Sequence, residues 1–495
     1  MTEYKLSEQE IKDKTKQSLL WFTTVPFFMQ LLRFANSLLL ARILSPEDFG
    51  IIGVVSVILF YSNSFSDFGF NKSIVQRREI QSKHYDSYFT FNILMSLALF
   101  LIFQLFSENL AAYFEIIELQ QAFQVFAFML IITAFLAVPQ AKLRRELNFK
   151  TMALLEVFKV FTSMAISLTL ALNGFKFWSI IYATLISQFL LLILMLIFAK
   201  IVPRPYFGLL YLKQLVHFGK WDFLGGQVST IAENVDKLII GKVLGAPQLG
   251  FYDRALGIAK MPYDNISLKI GNISFSSFSR MQDNPEKIRC YFSKIMILNS
   301  VIIAPLLIGL ALVSESFVMF VLGQKWQNTV DCLVIFSFVF LFGSLANPIF
   351  SINAAMNKIK AQTLICLVLT VTLVLLMVVF ARFGIELIAF IILIFRLILL
   401  IASYWLMTNY IQVSWKMLIS DLWPATLYSA LMALGVLLLQ YAIRDMLHWQ
   451  IFLSSVVVGI LIFACAFFFI PLKNVNFIRL KAVRAISQKF FKLRV

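Results

Sequence analysis

Apolar runs of about twenty residues follow one another along this chain from residue 18 to residue 472. A helix of that length crosses roughly 30 Å of hydrocarbon, and inside a bilayer every backbone N–H and C=O must be satisfied internally. The short alternating segments of a membrane barrel are absent, so helices are the remaining way to span. Of the 495 residues, 60% are hydrophobic and only 14% charged, against about 25% charged in a soluble domain. The chain therefore reads as an all-α polytopic membrane protein.

Apolar runs bounded by charge give fourteen expected spans: 18–41, 49–68, 87–107, 121–140, 151–172, 177–199, 219–243, 249–274, 291–313, 329–351, 361–381, 385–408, 422–443 and 448–472. The seventh and eighth are the least apolar. The distribution of Lys and Arg orients them. With a cytoplasmic N-terminus, thirty of the 43 basic residues fall in inner segments. Six fall in outer loops: Arg42, Lys176, Lys242, Lys325, Arg382 and Arg444. This bias follows the positive-inside rule, accounts for the net charge of +17 without nucleic acid, and puts both termini in the cytoplasm. No cleavable leader is visible in the polar, mixed-charge residues 1–17, so the first helix is expected to direct insertion.

The spans repeat. Arg42-Ile43-Leu44 through Phe49-Gly50 returns as Lys242-Val243-Leu244 through Leu249-Gly250, while Pro139 and Gly174 find counterparts in Pro348 and Gly384. Six helices per repeat keep the two copies in the same orientation, and parallel repeats place a substrate path between them. The expected organisation is a cytoplasmic segment 1–17, an N-lobe 18–201, an amphipathic linker 202–218 and a C-lobe 219–409. Residues 410–472 add an amphipathic stretch and two further helices, and 473–495 form a basic tail expected on the membrane surface. The two six-helix lobes would enclose a central cavity.

Seven basic residues remain once those assigned to the inner and outer segments are counted: Arg33, Lys159, Lys237, Arg254, Lys260, Lys269 and Arg396. An ionised group at mid-membrane costs at least about 2.5–3.5 kcal/mol, so each needs a partner, water or a task. Arg33 shares a helix face with Thr23, Gln30 and Ser37. Asp222, Gly226, Ser229, Glu233, Asp236 and Lys237 form a second polar stripe; Asp253, Gly257, Lys260, Asp264 and Ser267 form a third. Such faces turn toward a wet interior. At the repeat offset Arg33 aligns with Glu233, and the two are expected to pair across a cavity in one conformation. Glu156 and Lys159, three residues apart, read as a local helix pair. Arg396 fits interhelical packing and substrate contact equally well.

Enzyme chemistry has no foothold: GxSxG, HExxH and Walker sequences are missing. Cys290, Cys332, Cys366 and Cys465 lack the spacing of a metal site or a disulfide framework, so no metal and no cofactor is expected. Without a nucleotide site, movement of a substrate would draw on an ion gradient (Na+ or H+), the membrane potential or the substrate's own gradient. No outer loop is long enough to form an external catalytic domain.

LARILSPEDFG (40–50) followed by SDFGFNKSIVQRRE (66–79) resembles the N-terminal signature of Wzx-type, WzxC-like polysaccharide flippases, within the multidrug/oligosaccharidyl-lipid/polysaccharide exporter superfamily. RRELNFK (144–150), ENVDKLIIGKVLG (233–245), LGFYDRALGIAKMP (249–262) and FSSFSRMQDNPEKIR (275–289) fit the same branch. The resemblance implies two six-helix lobes working by alternating access in the bacterial cytoplasmic (inner) membrane. It implies a cargo of undecaprenyl-pyrophosphate-linked oligosaccharide repeat units, carried for surface polysaccharide biosynthesis, and leaves polymerase and export proteins open as partners. It further implies cationic side chains facing the pyrophosphate, with Arg33 first, Lys237 and Lys260 next, and Gln30 beside Arg33. Glu233, Asp236 and Asp253 would then serve ion coupling or gating. A drug/cation antiporter of the same superfamily is the first alternative, with an acidic and aromatic cavity in place of a basic one. An integral membrane glycosyltransferase, polymerase or ligase is the second.

Overall fold

Ser45, Pro46 and Asp48 set the first helix boundary of the repeated motif. Ser45 is the N-cap: the Asp48 N–H donates to its Oγ at 3.2 Å, while the Asp48 carboxylate accepts the Ser45 N–H at 2.9 Å. Pro46 occupies the first helical turn, where its missing N–H costs nothing. The other carboxylate oxygen of Asp48 accepts the Phe177 N–H at 3.0 Å. One buried acid thus caps its own helix and ties it to a distant loop. The helix ends at Phe68 and Gly69, both left-handed (φ 48° and 73°).

The structure, a computed structural model, describes residues 8–77, 80–201, 203–470, 472–476 and 478–480, and every element among them is helical. Two compact units divide the chain, Met1–Gly250 and Phe251–Val495. The first holds α1 (Glu8–Ile43), α2 (Pro46–Asp67), α3 (Phe70–Gln76), α4 (Ser82–Phe114), α5 (Glu118–Phe126), α6 (Phe128–Arg145), α7 (Phe149–Leu172), α8 (Trp178–Ala199) and α9 (Leu209–Val243). Helix α10 (Gly245–Pro262) begins in it. The second holds α11 (Leu268–Arg280), α12 (Pro285–Leu312), α13 (Ser314–Phe317), α14 (Val330–Ala355), α15 (Ile359–Phe380), α16 (Ile385–Ile411), α17 (Trp415–Ala442) and α18 (His448–Phe469).

Eleven helical stretches among the described residues are long and apolar enough to cross a membrane. The three expected spans outside that number fall on α1, on α9 and on the α10–α11 region. The last is not one helix. Pro262 closes α10, a π-helical turn follows over Tyr263–Ser267, and α11 then starts. A π turn resets the helical register, so Asp264 and Ser267 leave the face expected for Asp253, Gly257 and Lys260. Ser267 is buried and donates to the Ser344 carbonyl at 3.2 Å.

Unit 1 contains α9, although its boundary was expected in the linker. Helix α9 packs on α2, α3 and α4. Phe223 stacks on Phe68 with ring centroids 4.5 Å apart, and Ser73 Oγ donates to the Leu215 carbonyl at 3.1 Å. The expected amphipathic linker is no separate surface helix. Residues 203–207 run without helix along α4, and α9 is continuous from Leu209. Side chains of α4 hold this stretch by its backbone: Asp86 accepts from Arg204 N–H at 2.9 Å, Thr90 from Tyr206 N–H at 2.8 Å and Ser87 from Gly208 N–H at 3.2 Å. The second expected amphipathic stretch, 410–416, is a break as well. Gln412 is left-handed (φ 54°) and Ser414 caps α17. The surface helix expected for the tail lies largely outside the described residues.

The repeated motif meets its own second copy inside unit 1. A Cβ added to Gly50 would lie 1.8 Å from the Ala246 carbonyl oxygen, and one added to Gly250 would lie 1.8 Å from that of Pro46. Pro46 and Gly50 correspond to Ala246 and Gly250 at the repeat offset, so the two contacts are reciprocal. Backbones approach this closely only where no side chain intervenes.

Unit 2 is organised on α14, which packs against α11, α12 and α16. Its core includes Phe278, Phe292, Met296, Ile349 and Tyr404. Buried amides tie the helices: Asn299 donates to the Ser344 carbonyl at 2.8 Å, and Asn353 to Gln362 Oε1 at 2.7 Å. Gln362 donates in turn to Ser403 Oγ at 2.9 Å. Between α12 and α17, Ser293 Oγ donates at 2.6 Å to the buried carboxyl of Asp421.

Candidate functional site

Basic residues of unit 1 divide into those that finish the fold and those that do not. Lys142 donates to the Ala199 carbonyl at 2.7 Å, the last residue of α8. Arg145, from the RRELNFK motif, donates to the Ile74 carbonyl at 2.9 Å, near the end of α3. Both supply positive charge where the last carbonyls of a helix lack partners. These side chains are committed to structure.

Arg33 is placed differently. Its Nη2 forms an ion pair with Glu156 Oε1, joining α1 to α7, and the two side chains remain 48% and 38% exposed. Glu233, the expected partner, does not take this guanidinium here; the helix packed on α1 carries its own acid and reaches it first. Lys159 lies one turn beyond Glu156, within the electrostatic field of both Glu156 and Arg33. Asn36, three residues along α1 from Arg33, donates to Ser167 Oγ at 3.3 Å. The α1–α7 seam thus joins one carboxylate to two cations. Gln30 is half-buried, three residues before Arg33.

The other expected residues fall into two separate groups. In unit 1, Asp236 is buried on α9 and accepts the Lys237 N–H at 2.9 Å. Asp236 and Glu233 both act electrostatically on Tyr61 of α2. In unit 2, Asp253 and Arg254 lie side by side on α10 with Oδ2 and Nη2 3.8 Å apart, and Lys260 follows on the same helix. The stripe residues Thr23, Asp222, Gly226 and Ser229 have side chains outside the described set. A cavity of about 410 Å³ lined by Lys416, Ser420, Trp423 and Asn474 contains none of the expected residues. Among the described residues no three His, Cys, Asp or Glu converge as metal ligands.

Glu156 and Lys159, read from the sequence as a local helix pair, are the residues that were not expected at the site. Their signal was a carboxylate and an ammonium within an apolar span, but a spacing of three offered a local explanation. Only the packing of α7 on α1 reveals Arg33 as the partner.

A polytopic helical bundle of this kind is also the fold of solved flippases and multidrug transporters. The lipid II flippase MurJ, solved in an inward-closed conformation, superposes with a TM-score of 0.71 over 90% of this chain and 97% of that one, at 14% identity. An inward-facing multidrug resistance MATE family transporter of the MOP superfamily gives 0.61 over 80% and 98%, also at 14% identity. Residues 39–331 match the polysaccharide biosynthesis protein family, and the chain belongs to it. The lipopolysaccharide biosynthesis protein WzxC of Escherichia coli (strain K12) is 26% identical over 360 residues, 70% of this chain and 71% of that protein. The teichuronic acid biosynthesis protein TuaB of Bacillus subtilis (strain 168) is 28% identical over 298 residues, 59% of this chain and 61% of that protein. The chain is a multi-pass membrane protein.

Proposed function

We propose that this protein flips undecaprenyl-pyrophosphate-linked oligosaccharide repeat units from the cytoplasmic to the periplasmic leaflet of the inner membrane by alternating access. The observation that carries the reading is the charge on the α1–α7 seam. Arg33 and Lys159 outnumber Glu156 on helices that belong among lipid. A diphosphate is the part of such a cargo that most resists crossing hydrocarbon, and fixed guanidinium and ammonium groups in a low-dielectric setting are its natural counter-charges. Relatives named for lipopolysaccharide and teichuronic acid biosynthesis support a saccharide cargo. In this reading Gln30 and Lys237 of unit 1, and separately Lys260 of unit 2, are polar and cationic groups available to the head group. Glu233, Asp236 and Asp253 are carboxylates available to a coupling Na+ or H+. Both termini lie in the cytoplasm, and polysaccharide polymerase and export proteins act on the delivered product.

The deciding experiment is a deletion strain assayed for lipid-linked repeat units on each side of the inner membrane. Accumulation on the cytoplasmic side, relieved by the wild-type gene, is the expected result. Normal translocation with altered polymer length would instead assign a polymerase. Unchanged glycans with drug sensitivity would assign a drug/cation antiporter.

A further inference from the structure

The α1–α7 seam holds one more positive charge than it needs to be a helix–helix tie. Arg33 and Glu156 already neutralise each other. Lys159 adds a second cation on the same face of α7, and among the described residues it has no hydrogen bond and no ion pair of its own. A surplus charge on a membrane-spanning helix is costly unless something compensates it. The pair itself is not sealed: both side chains remain open enough for another group to reach them.

We propose that Glu156 is a resident counter-ion that occupies Arg33 in the absence of cargo and yields it to a membrane-borne diphosphate, while Lys159 meets the second phosphate. This rests on the flippase reading above and assigns two residues within it. The charges explain the arrangement. A diphosphate diester carries two negative charges, which Arg33 and Lys159 together match. Glu156 is then displaced but stays on its helix, competing to return. Its competition lowers the affinity of the site, and a transporter must release what it binds. A structural tie would do neither: removing its acid would weaken the fold and leave diphosphate affinity unchanged or lower.

The test is binding of farnesyl pyrophosphate to the full chain in detergent, with farnesol as the uncharged control, paired with flipping in reconstituted vesicles. Arg33→Gln and Lys159→Gln are each expected to weaken farnesyl pyrophosphate about tenfold and leave farnesol unchanged. Glu156→Gln is expected to bind farnesyl pyrophosphate about tenfold more tightly and yet flip more slowly, because release is retarded. If Glu156→Gln does not fold, Glu156→Asp, which shortens the reach of the acid, should show the same direction at smaller amplitude. Unchanged or weaker binding in whichever of the two folds overturns the proposal. Flipping by wild type with diphosphate affinity indifferent to residues 156 and 159 removes this inference and leaves the flippase reading standing. Loss of flipping as a wild-type property, with the binding pattern intact, does the reverse.

Discussion

Gly50 contributes through what it lacks. Its Cα faces the Ala246 carbonyl, and a methyl group there would lie 1.8 Å from that oxygen, deep within contact distance. Backbone cannot rotate away as a side chain can. Gly50→Ala and Gly250→Ala are each expected to lower stability by about 1–3 kcal/mol, the range of overpacked sites, read as the melting temperature in detergent. Gly257→Ala is the control, since an added methyl there meets nothing within 4 Å. A second residue-scale effect depends on pH. Glu115, in the turn after α4, is held below the usual carboxylate range by the hydrogen bond and charge of Lys242 at 2.8 Å. A depressed folded pKa stabilises above the unfolded value, near 4.3 for Glu, and that contribution fades as pH falls through the folded value. Melting of wild type and Glu115→Gln should therefore differ slightly at neutral pH and converge in acid. At this scale the sequence was legible for shape and less so for charge. The motif holding Ser45, Asp48 and Gly50 and its second copy were visible in the sequence, while the cap and the close approach they build came from the structure. The partner of Arg33 depends on which helix lies beside α1, and no local pattern encodes that.

Helices show the same division. Apolar length identifies α4, α7, α8, α12, α14 to α18 without ambiguity, because burial in lipid requires it. Helix α9 resists such reading: its packing on α2, α3 and α4 lets it carry polar residues. The break after Pro262 was not expected, since residues 249–274 were read as one span, and no periodicity announced the π turn that shifts the register of Asp264. Cations expected in inner loops also have a structural use: Lys142 and Arg145 cap α8 and α3. Lys142→Gln is expected to cost roughly 0.3–1 kcal/mol of stability even where topology is unchanged, measured by thermal unfolding. Between α12 and α17, among the described residues, Asp421 has one donor, Ser293, and one carboxyl oxygen with no hydrogen bond. Ser293→Ala removes that donor and should destabilise by about 1–3 kcal/mol. Asp421→Asn keeps an acceptor for Ser293 and should cost less; equal losses in both variants would count against the bond as the tie.

For the whole molecule, the apolar spans were readable, and they gave the all-helical, multi-pass architecture. The contact boundary was not, because it falls at Gly250 and cuts across the repeat. The orientation belongs to this scale too. Reporter fusions at either terminus should be active with a cytoplasmic reporter and silent with a periplasmic one; the opposite pattern would reverse the direction of flipping assigned above. Residues 203–208 carry one more consequence. Their amides are taken up by Asp86, Ser87 and Thr90, and α9 docks on helices that precede it in the chain. A ribosome that has reached residue 250 has therefore already supplied every partner α9 needs in unit 1. The seventh expected span, too polar to be secure in lipid by itself, can be received as it emerges by a protein surface whose elements all precede it in the chain.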